Sequence, residues 1–148
     1  MECLGCALGK GENEENMHEQ AGSTQRAITL NLLRIMTGFL FVPHGAQKLF
    51  GVLGRPAVPL VSWFGLAGVL EFFGGLAILL GLFTRRVALV LAGEMAVAYW
   101  WMHGQRAFLP IANGGELAVL YCFIFLLLWT HGGGRFSIDG WRQASRGK

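Results

Sequence analysis

Three ionisable side chains interrupt runs of apolar residues, and together they could carry acid–base chemistry. Arg34, Glu71 and Glu94 each lie in such a run, which reads VLEFFGGLAILLGLF around Glu71. Charged groups inside apolar helices are costly, so they usually pair with one another and mark a functional site. We therefore predict a buried ion pair between Arg34 and Glu71, because a guanidinium group binds a carboxylate through two parallel hydrogen bonds.

Glu94 adds a second carboxyl group at the same predicted depth. One arginine cannot neutralise two carboxylates, and both burial and a nearby like charge favour the protonated form of a carboxyl group. A carboxyl group that gains and loses a proton in an apolar environment is a candidate proton relay. We therefore predict Glu71, Glu94 and Arg34 as the catalytic residues. The alternative is a static ion-pair clamp that only fixes the packing of helices.

Five further polar residues are predicted to form a second layer, nearer one end of the same helices. His44 and Lys48 are four residues apart, so they share one helix face. His103 ends an aromatic run, and the stretch from Asn113 to Glu116 predicts a capping box that opens a helix. We predict that this layer binds the polar head of a small molecule. The local alternatives are a Lys48 that reaches the membrane surface and a Glu116 that only caps its helix.

A cavity joining the two layers would have aromatic walls and a charged floor, which suits a quinone or a similar lipid-soluble ring. The sequence contains no C-x-x-C-H haem motif, no G-x-G-x-x-G and no P-loop. Two histidines on separate helices are not diagnostic of a haem or metal site, so we predict no metal and no covalently bound cofactor. Cys3 and Cys6 form a C-x-x-C pair, which we interpret as incidental because its surroundings predict no folded element.

The elements that position these residues follow from composition. The 148 residues are 53% hydrophobic and 14% charged, whereas ordinary soluble domains have about 25% charged residues. A bilayer core is crossed by about 20 apolar helical residues. Residues 27–134 divide into four segments of that kind, at 27–50, 60–82, 86–104 and 114–131. We predict an all-α, four-helix transmembrane bundle between a polar, disordered tail at 1–26 and a basic tail at 135–148.

Lysine and arginine predict how this bundle is oriented. Eight of them lie on the side that holds the two termini and the turn between the second and third segments: Lys10, Arg26, Arg85, Arg86, Arg135, Arg142, Arg146 and Lys148. The opposite side has three, Lys48, Arg55 and Arg106. The positive-inside rule then predicts that both termini are cytoplasmic. The net charge of +3 is a topology signal on this interpretation, so membrane lipid is an expected partner and nucleic acid is not. A soluble helical protein with a buried core is the alternative class.

Several separate motifs resemble the DoxX family of small four-helix membrane proteins. They are LRIMTGFLFVPHGAQKLFG, LEFFGGLAILLGLFTRRVAL, the histidine that ends the third segment, FLPIANGGELAVLY and GGGRFSIDGW. The resemblance implies a bacterial or archaeal cytoplasmic-membrane protein linked to quinone reduction, in a family whose chemistry is poorly defined. The family-typical polar positions that it implies are Arg34, His44, Lys48, Glu71, His103, Asn113, Glu116 and Asp139.

Residues and resemblance together predict a multi-pass inner-membrane subunit of a redox system that binds quinone or quinol. Electrons would come from a partner protein, soluble or membrane-bound, and whether the chain is itself an enzyme stays open. One alternative is a non-enzymatic assembly or anchor subunit with a structural ion-pair clamp. Another is a small-molecule carrier, which would need a homo-oligomer because four helices enclose little space.

Overall fold

The computed structural model describes residues 4–146, with the backbone alone described for residues 4–16 and 18. Across this part of the chain every regular element is helical. The elements are α1 (Leu4–Phe50), α2 (Trp63–Val69), the π-helix π1 (Leu70–Gly74), α3 (Gly75–Leu80), α4 (Thr84–Ala98), the π-helix π2 (Tyr99–His103), α5 (Pro110–Asn113), α6 (Glu116–His131) and α7 (Ile138–Arg146).

Four long helices result, because α2, π1 and α3 are continuous and π2 continues α4. We call α1 helix one, residues 63–80 helix two, residues 84–103 helix three and α6 helix four. The all-α prediction is confirmed, and each of the four predicted segments overlaps one of these helices. The agreement follows from hydropathy, since each segment is bounded by polar, glycine or proline residues that end an apolar run.

The first helix begins much earlier than the first predicted segment. Helix one starts at Leu4, so residues 4–26 are helical where the sequence predicted a disordered tail. Glutamate, glutamine, alanine and methionine are good helix formers, and the apolar half of the same helix supplies the nucleus from which the polar half extends. Cys3 lies outside the described residues and the side chain of Cys6 is not described, so the interpretation of the C-x-x-C pair stays a prediction.

Two of the helices have the length and apolar character of membrane spans, Glu19–Phe50 and Trp63–Leu80. The distribution of side chains is also that of a membrane protein, with polar groups inside and large apolar groups outside. The buried polar residues are Asn31, Arg34, Thr37, Glu71, Thr84, Asn113 and Ser137. By contrast, Leu32, Phe39 and Phe123 are each more than 60% exposed. The four-span bundle with cytoplasmic termini stays a prediction.

Glycines bring helices one and two close together and set their register. A Cβ atom on Gly38 would lie 2.8 Å from the carbonyl oxygen of Gly75, and one on Gly45 would lie 2.7 Å from that of Gly68. The later glycine of helix one therefore meets the earlier glycine of helix two, so the two helices are antiparallel. Small residues allow this approach of two backbones, as is common between membrane helices.

We expect Gly45→Ala to destabilise the protein by about 1–3 kcal/mol, because the new Cβ atom would overlap the backbone of Phe72 and helix two would have to move. Gly93→Ala is the matched control, since a Cβ atom on Gly93 has nothing within 4 Å. Thermal unfolding in detergent measures both variants. A Gly45→Ala variant as stable as Gly93→Ala would show that the two helices are not packed this closely.

Helices three and four pack along each other and complete the core. The fully buried side chains Phe41, Ile78, Leu91, Phe125 and Leu128 come from all four helices and form one apolar cluster. Helices one and four contact each other only briefly. The core therefore lies between helices that each keep one apolar face outward, as expected for helices in lipid.

The segment after helix four closes one end of this core. The Asp139 carboxylate accepts hydrogen bonds from the backbone N–H groups of Phe83 (2.9 Å) and Thr84 (2.7 Å) at the start of helix three. In return, the Asp139 N–H donates to the carbonyl oxygen of Gly81. A carboxylate at a helix N-terminus satisfies free N–H groups and complements the helix dipole. Asp139 therefore holds the C-terminal segment on the turn between helices two and three.

Candidate functional site

Arg34 does not pair with Glu71, and this prediction is wrong. Its side chain is 1% exposed and its guanidinium donates only to backbone carbonyl oxygens. The acceptors are Ile78 (2.7 Å), Leu79 (2.5 Å), Gly133 (3.0 Å) and Phe136 (2.8 Å). Arg34 therefore caps the C-terminal end of helix two and fastens it to the segment after helix four, a structural role that arginine fills well near a helix C-terminus.

Glu71 instead pairs with Lys48. The Lys48 ammonium group lies 2.5 Å from Oε1 of Glu71, and the Glu71 side chain is 6% exposed. The glycine register explains this partner, because Gly45 lies against Gly68 and Phe72 and so brings the last turns of helix one alongside Glu71. The carboxylate predicted to meet the arginine of the central layer thus meets the lysine of the outer layer.

Glu71 occupies a special backbone position. Residues Leu70–Gly74 form the π-helix π1, in which one extra residue is accommodated per turn. Such π-helical stretches inside α-helices are frequent at functional sites, because they displace a side chain from its α-helical direction. The second π-helix, Tyr99–His103, carries another predicted site residue, His103. The sequence analysis did not predict either π-helix.

The register of helices two and three brings Glu94 to the side of this pair. A Cβ atom on Gly74 would lie 2.9 Å from the Leu91 side chain, and because the two helices are antiparallel, Glu71 and Glu94 each lie three residues from that contact in the same direction. Both carboxyl oxygens of Glu94 are buried and have no hydrogen-bond partner in the described part of the chain, and the same is true of Oε2 of Glu71. We call Lys48, Glu71 and Glu94 the acidic cluster.

The acidic cluster holds two carboxyl groups for one ammonium group, and three of its carboxyl oxygens accept no hydrogen bond from the residues that the structure describes. An ionised carboxylate buried without hydrogen bonds costs several kcal/mol, so native proteins satisfy such groups with a proton, water or a ligand. The Lys48 side chain is 29% exposed, whereas that of Glu71 is 6% exposed. The arrangement can therefore hold a proton and offer hydrogen bonds to a polar group that arrives from the Lys48 end.

The predicted outer layer separates into distinct groups in the structure. His103 Nδ1 lies 3.1 Å from the carbonyl oxygen of Asn113, and the Asn113 amide donates to the carbonyl oxygen of Ala107 (2.8 Å) and to the Tyr99 hydroxyl (3.4 Å). Tyr99 in turn donates to Phe108. His103 and Asn113 are thus brought together, with Tyr99 as a member that the sequence analysis treated only as part of an aromatic belt.

His44 lies elsewhere, with its ring 6.4 Å from that of Tyr121 in an edge-to-face arrangement. Tyr121 also packs against Phe41, with ring centroids 5.0 Å apart, so His44 borders the aromatic part of the core. Lys48 belongs to the acidic cluster. The outer residues therefore do not converge as one ring of ligands around a single point.

Glu116 does not close a capping box, and this prediction is wrong. The N-cap of helix four is Gly115, which leaves Glu116 exposed as the first helical residue, and no side chain caps this helix. The Asn113 side chain accepts instead from the N–H of Gly115 (2.7 Å). Gly114 has a left-handed conformation that ends α5, so the N-cap lies two residues later than the capping pattern assumes.

No residue of the acidic cluster lines either of two surface cavities in the described part of the chain. One, of about 310 Å³, is bounded by residues 60–66, and the other, of about 620 Å³, lies between helices one and four. The described residues also contain no group of three or more His, Cys, Asp or Glu side chains arranged to hold a metal ion. A cavity that joins the two predicted layers stays a prediction.

Comparison with known proteins places the chain among membrane proteins. The family model of DoxX matches residues 29–104. An uncharacterized protein of Haemophilus influenzae is 39% identical over 127 residues, which cover 77% of this chain and 90% of that protein. An uncharacterized membrane protein of Mycobacterium tuberculosis is 32% identical over 127 residues, or 72% and 77% of the two chains. No solved structure is significantly similar.

Proposed function

This chain belongs to the DoxX family, and we propose that it is a membrane subunit that binds a quinone or quinol at the acidic cluster and exchanges protons with it there. The proposal is carried by three buried carboxyl oxygens of Glu71 and Glu94 that have no hydrogen-bond partner among the described residues. Because the family consists of membrane proteins, a lipid-soluble substrate can reach the protein from the bilayer.

The chemistry of the cluster fits a quinone. Reduction of a quinone to a quinol adds two electrons and two protons, and the protons go to the two carbonyl oxygens. A protonated carboxyl group donates to such an oxygen, and an ammonium group stabilises the negative charge that develops on it. Glu94 is placed to donate and accept the proton, while Lys48 and Glu71 fix the local charge. A partner protein supplies or accepts the electrons in this proposal.

Access in this proposal is from the Lys48 end of the cluster. The Lys48 side chain is 29% exposed, and His44, which is exposed, precedes it by one helical turn. The opposite direction is filled by the apolar core around Ile78 and Leu91, both of which are fully buried. Protons therefore enter and leave at the Lys48 end, and the positive-inside rule places that end outside the cytoplasm.

A second candidate function is an assembly or anchor subunit without redox chemistry. The pairing of Lys48 with Glu71 across helices one and two favours it, because such a pair can serve only to fix helix register. The inner-membrane, multi-pass location is common to both proposals. They differ in whether Glu94 interacts with a ligand.

We expect Glu94→Gln to weaken the binding of a decyl-tailed benzoquinone by about tenfold, which is the loss of roughly one hydrogen bond to an ionisable group. The Lys48–Glu71 pair stays intact in this variant, so the fold is retained. Glu116→Gln is the control, because Glu116 is exposed at the end of helix four. The measurement is the rise in melting temperature of the detergent-purified protein with added quinone. If the quinone fails to stabilise even the unmodified protein, the anchor function is favoured instead.

A further inference from the structure

A second site lies at the opposite end of the helices, in the cavity of about 620 Å³ between helices one and four. Helix one lines it from Gly22 to Leu33 and helix four contributes Leu127 and His131. The two helices contact each other only briefly, so the cavity is a groove that opens on the surrounding bilayer.

The groove is divided into a polar end and an apolar wall. Gln25 and Arg26 form the polar end on helix one, and His131 ends helix four at the same level. The wall consists of Leu30, Leu33 and Leu127. Arg26 is also the last charged residue before the apolar stretch that starts at Ala27, so the polar end lies where the membrane meets water.

The charge of the groove favours an anion. Its lining includes no aspartate or glutamate, whereas Arg26 is permanently charged and can bind a phosphate group through two hydrogen bonds. The C-terminal end of helix four carries a partial negative charge that would oppose this. The positive charge of Arg85 offsets this partial charge. Its Nε lies beside Gly132, at 3.2 Å from the position that a Cβ atom on Gly132 would occupy.

We propose that this groove binds one anionic phospholipid, with its phosphate against Arg26 and one acyl chain along the leucine wall. A groove that opens on hydrocarbon is filled by lipid chains, and the arginine at its polar end selects among their headgroups. The inference does not depend on quinone binding. It assigns the cytoplasmic end of the protein a structural lipid in addition to the bulk bilayer.

The test is the retention of lipid by detergent-purified protein in native mass spectrometry, with palmitoyl-oleoyl phosphatidylglycerol and phosphatidylcholine as competing probes. We expect the unmodified protein to retain phosphatidylglycerol in preference to phosphatidylcholine. Arg26→Gln should lower that preference about fivefold, the usual contribution of one basic residue near an anionic surface. Arg146→Gln is the control, since Arg146 is an exposed arginine of α7 outside the groove.

A second variant tests the apolar wall. Leu33→Trp should fill the groove and remove the bound lipid whichever headgroup it has, while Arg26 is still present. Equal retention of the two lipids by the unmodified protein would overturn the proposal, and so would an equal loss of preference in Arg26→Gln and Arg146→Gln. Inorganic phosphate that stabilises the protein in place of phosphatidylglycerol would overturn it too, since the site would then bind a free anion.

Discussion

Arg34→Ala is expected to cause the largest loss of stability of any single change in the chain, about 3–5 kcal/mol. The guanidinium group donates to four carbonyl oxygens and is almost completely buried. Its removal takes the charged donor from all four carbonyl oxygens and opens a void between helix one, the end of helix two and the segment after helix four. Each hydrogen bond from a charged donor contributes about 1.5–3 kcal/mol, so the loss is as large as that of a severe core truncation.

Arg34→Lys and Arg135→Ala make this prediction specific. Lysine keeps the charge but presents three donors on one atom, so it cannot reach all four carbonyl oxygens, and we expect it to recover less than half of the loss. The exposed Arg135 lies next to the same segment, and its replacement should change stability by less than about 0.5 kcal/mol. Unfolding in a graded mixture of detergents measures all three variants. Equal stability of Arg34→Ala and Arg135→Ala would contradict the capping role.

The second large effect is expected at the Lys48–Glu71 pair. Glu71→Ala leaves the ammonium group of Lys48 without its partner, in a position that is only 29% exposed. Breaking a buried pair by removing one partner typically costs about 3–5 kcal/mol, and we expect about 3 kcal/mol here because water still reaches Lys48. Lys48→Met should also destabilise the protein, because it removes the ammonium partner of the buried Glu71 side chain.

The double variant Lys48→Met/Glu71→Leu separates the pair from the packing around it. Apolar residues of similar volume often replace a buried ion pair without loss of stability, so the double variant should recover most of the loss of Glu71→Ala. The measurement is a double-mutant cycle by thermal unfolding in detergent. If the two single losses simply add, Lys48 and Glu71 do not interact in the folded protein.

The positions of the helices could be predicted from the sequence, whereas the partner of Arg34 could not. Hydropathy places helices two to four within a few residues, since each apolar run ends at polar, glycine or proline residues. The partner of a charged side chain, by contrast, depends on the register in which two helices pack against each other. That register is set by the close contacts of Gly38 and Gly45 with helix two, and these contacts displace Glu71 from Arg34 to Lys48.

Two further contacts were not predicted because they involve backbone groups, which a search for charged side chains does not consider. The acceptors of Arg34 are backbone carbonyls exposed at the end of helix two and in the segment after helix four. The N-cap at Gly115 follows from the left-handed turn at Gly114. The sequence analysis placed Glu71 and Glu94 at the same depth as partners of Arg34, whereas the partner of Glu71 in the structure is Lys48.

The central claim is that the acidic cluster holds a proton that a quinone can exchange. Infrared difference spectroscopy of the purified protein, with and without the decyl-tailed benzoquinone, tests it most directly, because a protonated carboxyl group has its own C=O stretching band. We predict such a band at neutral pH that shifts when quinone is added and is missing in Glu94→Gln, but unchanged in Glu116→Gln. A band that is absent from the unmodified protein, or present equally in Glu94→Gln, would contradict the claim.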